Sequence, residues 1–210
     1  MQVHVTNDMP NEAYISVSQT EDDVFVHVNK APVLSEETGS ETPKLQAKDC
    51  APGAHIRVGS INFVVLNQAT TSTLLLAEDC VAYGDFGETN DWFDSKARKW
   101  CENEFIEYVK TNIKQGHIVS NIIDTGYAIA YADSVLLNVD LYNRYREYIP
   151  LISEPYWTIS DASIGRNSYT YICTICPNGE IGLRSSQERA GLRPCIYVSP
   201  DTEVEAIISK

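Results

Sequence analysis

A chain of 210 residues can bury roughly 70% of its unfolded surface, so it needs no metal or disulfide to fold. Hydrophobic residues make up 43% and charged residues 21%, the balance of an ordinary globular protein, which excludes wholesale disorder. Sixteen Lys and Arg against 29 Asp and Glu leave a formal charge of −13, and a surface of that sign repels phosphate, which argues against general nucleic-acid binding and against adhesion to an anionic membrane.

The opening MQVHVTNDMPNEAY has neither a basic n-region nor an apolar h-region, so no secretory signal is expected. Apolar runs such as FVVL and TLLLA are too short to cross a bilayer, and no membrane insertion is expected. These features predict a protein made in a cytoplasm, which stays there or leaves as part of a larger particle. Six cysteines are present, and reduced thiols are the default in that compartment.

Residues 1–54 carry three Lys, no Arg and nine acids. AYISVS (13–18) and DVFVHVN (23–29) place β-branched residues at every second position, with polar QTEDD between them, which predicts a hairpin. QVHVT (2–6) is a possible third strand. So few strands cannot bury a core. Residues 1–30 therefore either complete the main domain's sheet or form an arm that docks on a sister subunit or a scaffold. The open strand edge favours the arm, with Tyr14, Ile15, Val17, Val24, Val26 and Val28 as its assembly residues. Residues 31–54, rich in Pro, Ser, Thr and Glu, read as an acidic linker, and residues 201–210 as a C-terminal tail.

The main domain is expected over 55–200. It opens with a meander, HIRV, a Gly59-Ser60 turn, INFVVLNQ and TLLLA. In NDWFDSKARKWCENEFIEYVK, residues Ala97, Trp100, Cys101, Phe105, Tyr108 and Val109 recur at spacings of three and four. This predicts an amphipathic helix capped by Asp94 or Ser95 and ended near Gly116. A second helix fits 140–148, with Leu141, Tyr145 and Tyr148 on one face and Pro150 as the stop. The remainder is β: YWTIS, SYTYICTIC, EIGLR and RPCIYVS, with Pro177-Asn178-Gly179 turning a hairpin. Trp92, Trp100, Phe105, Trp157 and Arg193 are the expected structural core. The class is α+β.

Candidate chemistry is sparse. Cys173 and Cys176 have CxxC spacing, which raises zinc or thiol redox. A zinc site needs four ligands, and no second CxxC or HxxxH supplies them. Strand alternation also sends the two thiols to opposite faces, so they read as buried structural cysteines. His4, His27, His55 and His117 are scattered, and neither GxGxxG nor GxxxxGK is present. No catalytic set, cofactor or metal is expected. Residues 157–193 differ from the rest of this acidic chain, with four Arg and three acids among many Tyr, Asn and Ser. Such a mixture suits a contact surface, for which Arg166, Asn167, Tyr169, Arg184 and Arg189 are the candidates.

The order GSINFVVL, NDWFDSKARKWCENEF, DSVLLNVDLYNRY, PYWTIS, a PNGE hairpin and a closing GLRPCIYVSP resembles a largely uncharacterised bacterial and bacteriophage domain family. Members read G-S-x-x-W-x-V-L, then W-x-x-S-x-x-R-x-W-L-N-x-x-F, then W-x-L-R-S and G-V-R-P-A-L. The likeness spans about residues 53–200 and implies a C-type-lectin-like fold, similar to formylglycine-generating enzymes and to variable receptor-binding proteins of phages. Phe63 stands where Trp is usual, Thr158-Ile159-Ser160 where L-R-S is usual, and Cys195 where Ala follows GLRP. The lectin calcium signature is absent at Glu154-Pro155-Tyr156 and at Asn90-Asp91-Trp92, so calcium-dependent sugar binding is not implied.

These features together point to a non-enzymatic binding or structural module. Its concrete form is a phage virion accessory protein, a head decoration, fibre or tail component. It would be a homo-oligomer partnered by other virion or scaffold subunits and anchored by its N-terminal strands. The rivals are a formylglycine-generating-like oxidase or other thiol enzyme, using Cys195 or the Cys173/Cys176 pair, and an intracellular bacterial sensor domain.

Overall fold

The computed structural model describes residues 13–19, 24–30, 44–124, 129–162 and 170–207. The chain divides into two compact units, residues 1–41 and 42–210. In the first, β1 (Ala13–Gln19) and β2 (Val24–Lys30) form an antiparallel ribbon. Its register sets Ile15 against Val28 and Val17 against Val26, the pairing expected of two alternating β-branched runs. The expected strand 2–6 and most of the QTEDD turn lie outside the described residues.

The second unit is a mixed α+β body dominated by sheet. In chain order it contains β3 (Lys44–Gln46), β4 (His55–Val58), β5 (Ile61–Gln68), β6 (Thr73–Ala77) and β7 (Ala82–Gly84). After these come α1 (Lys96–Trp100), a π-helical turn (Cys101–Phe105) and α2 (Ile106–Asn112). Next are β8 (Asn121–Asp124), β9 (Ile129–Ala132), β10 (Ser134–Leu136) and α3 (Val139–Tyr145). The chain closes with β11 (Tyr156–Asp161), β12 (Tyr171–Ile175), β13 (Ile181–Ser185), β14 (Ala190–Leu192), β15 (Pro194–Val198) and β16 (Glu203–Ala206).

A seven-stranded sheet runs β10-β15-β6-β5-β4-β16-β3, and a five-stranded sheet runs β13-β12-β11-β14-β7. The predicted meander β4-β5-β6 is the middle of the first sheet. Every residue of β6 is buried, as are Phe63, Val64, Val65 and Leu66 of β5, which is why these strands read as apolar runs rather than alternating ones. Gly59 makes the β4–β5 turn at φ +62, and a Cβ there would lie 2.7 Å from the Asn112 side chain. The turn is tied to α2 through the Tyr108 hydroxyl, which accepts the Ser60 N–H at 2.8 Å.

Two expected boundaries move. Residues 44–49 are not linker, because β3 pairs with β16 and Ala47 is buried. Residues 203–206 are not tail, because β16 is inserted between β3 and β4, with Val204 opposite Leu45 and itself buried. KLQ and EVEA are too short for their alternation to establish a period, so only the pairing reveals them. The hairpins are antiparallel as expected, but β11 and β14 pair in parallel.

The long helix also differs from expectation. Ser95 caps it, its Oγ accepting the Arg98 N–H at 3.0 Å. The buried row Ala97, Cys101, Phe105, Val109 advances by four residues a step. An α-helix turns every 3.6 residues, so three such steps drift the row by about 120°. The π turn winds wider and takes up this drift. It also brings Ile106 into the core and leaves Tyr108 only half-buried. Trp100 and Phe105, five residues apart, meet with ring centroids 5.6 Å apart.

The second helix is shorter than expected, α3 followed by a 3-10 turn (Arg146–Tyr148). Its buried side is Tyr142 with Ile149, rather than Leu141, Tyr145 and Tyr148. The body's large interior side chains include Trp92, Trp100, Trp157, Phe86 and Arg193.

Trp100 is 2% exposed and its indole N–H has no hydrogen-bond partner among the described residues. Trp100→Ala should therefore cost ~3–5 kcal/mol in denaturant melts, and Trp100→Phe clearly less, since no hydrogen bond is lost.

Candidate interaction surface

Of the sequence-selected arginines, Arg184 lies on β13, one edge of the five-stranded sheet, and Arg189 at the entry to β14, beside β7 at the opposite edge. Arg166, Asn167 and Tyr169 lie outside the described residues. Arg184, on β13, pairs with Glu188 at 3.1 Å and also reaches the Arg189 carbonyl at 3.4 Å. Arg189 donates to the Tyr83 carbonyl at 3.3 Å. Arg184 thus braces the β13–β14 turn from within, and Arg189 ties that turn to β7. The same turn holds the loop after β7: Phe86 and Gly87 donate to the Ser186 carbonyl, and Gln187 donates to Glu88. The result is a rim of Glu88, Thr89, Gln187, Glu188 and Arg189, all exposed.

Beside this rim lies a surface that sequence reasoning missed. In the β12–β13 hairpin, Cys173 stands opposite Leu183, Ile175 opposite Ile181, and Tyr171 opposite Ser185. Directly opposed residues share a face. On this face Tyr171, Leu183 and Ile181 are 46%, 48% and 44% exposed. The other face carries buried Ile172 and Thr174. Leu183 and Ile181 were legible as one face of EIGLR, but nothing in the sequence says that β13 is an outer strand, and an apolar face is assigned inward by default.

Turn chemistry fixes how the hairpin is presented. Gly179 adopts φ +78, its N–H donating to the Cys176 carbonyl at 2.8 Å, while Asn178 Oδ1 accepts the Glu180 N–H at 3.0 Å. The Tyr142 hydroxyl of α3 donates to the Gly179 carbonyl at 2.8 Å. Cys176 donates to the Glu180 carbonyl and Ser186 to the Thr170 carbonyl. Antiparallel pairs alternate between hydrogen-bonded and open. Gly182 and Arg184 therefore direct their backbone groups at β12, and Ile181 and Leu183 direct theirs outward, away from the sheet.

Arg193 is wholly buried where β14 passes into β15. Its Nε donates to the Ala77 carbonyl at 2.8 Å, Nη2 to the Glu78 carbonyl at 2.7 Å and Nη1 to the Pro150 carbonyl at 3.1 Å. Its guanidinium lies 5.0 Å from the Tyr156 ring centre. These contacts assign Arg193 to the scaffold rather than to a partner.

Burial disfavours the thiolate at several of the cysteines. Burial pushes Cys195 up to about 12 and Cys101 well above its ordinary value. Burial likewise raises Cys80 to about 12, although the Arg193 charge pulls it down. Burial raises Cys173, which is half-buried rather than buried and donates to the Asp161 carbonyl at 3.5 Å. Cys176 is half-buried too. Low-pKa thiolates are what thiol catalysis and redox exchange require. Among the described residues no group of three or more His, Cys, Asp and Glu could hold a metal ion, and no helix is long and apolar enough to cross a membrane. A cavity bounded by Asn121, Asp133, Asn138, Cys195 and Tyr197 encloses about 40 Å³, room for a water or two.

No family model, curated protein or solved structure matches the chain significantly.

In the native protein, Cys50, Cys101 and Cys195, all buried, should resist alkylation at pH 7.5 and become labelled only in denaturant. Peptide mapping after a short iodoacetamide pulse checks this, and rapid native labelling of Cys195 would contradict its burial.

Proposed function

We propose that this chain is a non-enzymatic binding or structural module, and that it serves as an accessory protein of a phage particle. In this reading the body has a C-type-lectin-like fold and presents the outer end of its five-stranded sheet to a partner, while the N-terminal hairpin is the anchor. The observation that carries the binding role is the exposed apolar face of Tyr171, Ile181 and Leu183 beside a polar rim, since contiguous apolar surface with polar borders marks interaction sites. The raised Cys195 and Cys173 thiols count against the oxidase alternative, which would use Cys195 or the Cys173/Cys176 pair. The step to a phage particle rests on the sequence resemblance over residues 53–200 and is an analogy from family to role.

Mass spectrometry of purified particles tests that step. The chain should be present at a fixed copy number, and its absence from virions of the phage that encodes it would overturn the reading. Deleting residues 1–30 should leave a folded body, with unchanged near-ultraviolet circular dichroism, that no longer joins the particle. Unfolding of the body would instead show that these strands complete its own sheet.

A further inference from the structure

We propose that β13 is a homodimerisation edge, pairing antiparallel with β13 of a second copy across a twofold axis through Gly182. Strand β13 ends the five-stranded sheet, and its outward backbone groups belong to Ile181 and Leu183, whose side chains are also exposed. Such an edge is a template for another strand.

The sequence around it says which strand. Residues 180–184 read Glu-Ile-Gly-Leu-Arg, a segment whose chemistry is complementary to its own reverse. In an antiparallel pair centred on Gly182, Glu180 meets the second copy's Arg184 and Ile181 meets the second copy's Leu183. Each contact occurs twice by symmetry, as an isologous interface requires. The hydrogen-bond phase agrees. Ile181 and Leu183 have outward N–H and C=O groups, so the two Ile181–Leu183 pairs are the bonded ones. The Gly182–Gly182 and Glu180–Arg184 pairs are then the open ones, where side chains approach more closely. Opposite charges placed in this way stabilise a strand pair, and like charges destabilise it.

The two charged groups differ in their present partners. Glu180 is exposed and its carboxylate accepts only the Asn178 side chain at 2.8 Å among the described residues. Arg184 is half-buried and already bonded to exposed Glu188 at 3.1 Å and to the Arg189 carbonyl at 3.4 Å, so in the dimer the second copy's Glu180 shares or displaces the Glu188 contact. Pairing also joins the Tyr171, Leu183 and Ile181 faces of the two copies into one apolar surface. Five residues of edge give a small interface, which places the dimer in the weak, concentration-dependent class.

Sedimentation velocity on the full chain, from micromolar to about 1 mM, reads the equilibrium. The wild type should dimerise with rising concentration. Glu180→Arg should weaken the dimer on the order of tenfold, because both cross-strand pairs become repulsive. Leu183→Pro should weaken it comparably. The Leu183 N–H points away from β12, so a proline there removes no bond within the chain. The decisive experiment mixes Glu180→Arg with Arg184→Glu. Each alone opposes like charges, whereas the mixture restores both opposite pairs and should recover dimer. Circular dichroism confirms that each variant is folded. A wild type that stays monomeric throughout, a Glu180→Arg variant that associates like wild type, or a mixture without recovery would each overturn the proposal. Association lost on deleting residues 1–30 but intact in Glu180→Arg would assign it to the N-terminal hairpin and overturn the β13 edge, leaving the anchoring role standing.

Discussion

A buried guanidinium ties the two larger sheets of the body together. Arg193 is the residue between β14, in the five-stranded sheet, and β15, in the seven-stranded one. Taking a guanidinium out of water is costly, and among the described residues no carboxylate accepts its hydrogen bonds. Three backbone carbonyls and the Tyr156 ring offset the cost through charge-assisted bonds and a cation–π contact. The acceptors come from the end of β6 and from the approach to β11, so one side chain fixes where each sheet stops. A lysine would carry the charge but could not span the three carbonyls with a planar fork. Within the five-stranded sheet, the Trp157 indole N–H of β11 donates to the Gly84 carbonyl of β7 at 2.9 Å, across the intervening β14.

The same economy operates in the helix. Its buried row has a period of four, which neither an α-helix nor a strand satisfies. The backbone responds by inserting a π turn, keeping Ala97, Cys101, Phe105 and Val109 against the body. A π turn inside an α-helix is locally unfavourable and persists where packing demands it. Here the demand is visible as the contact between Trp100 and Phe105.

What was legible in the sequence divides along physical lines. The meander, the N-terminal hairpin, the PNG turn and the capped helix were readable because each is encoded locally, by alternation, by a turn residue with positive φ or by a cap. Trp92, Trp100, Phe105, Trp157 and Arg193 could be named as interior from their place in apolar or signature segments. The short strands β3, β7, β10, β14 and β16 were not readable. Each has three or four residues, too few to show a period, and each exists because a distant strand offers it a ladder. The contact surface was half legible for a related reason. Composition singled out residues 157–193, but Arg184 and Arg189 turn out to brace their own turn, while the exposed large apolar side chains there are Tyr171, Ile181 and Leu183. Which strand lies at a sheet's edge is a property of topology, and topology is written in pairings rather than in windows of sequence.

Charge adds a constraint on where two such bodies can meet. A chain carrying −13 repels its own copies, and the repulsion is felt over about a Debye length, roughly 8 Å at physiological ionic strength. Contact is therefore cheapest where the local charge is balanced. Residues 1–54 have net charge −6 and are the wrong place for face-to-face approach. Residues 180–184 hold one acid and one base, within the stretch where arginines outnumber acids. Added salt would relieve the global repulsion and weaken the cross-strand pairs at once. The two effects have different ranges, because charges a few ångströms apart are screened far less than charges on opposite sides of a domain. Moderate salt should thus help an edge-paired dimer before high salt hurts it, whereas a contact made only of apolar side chains would strengthen monotonically.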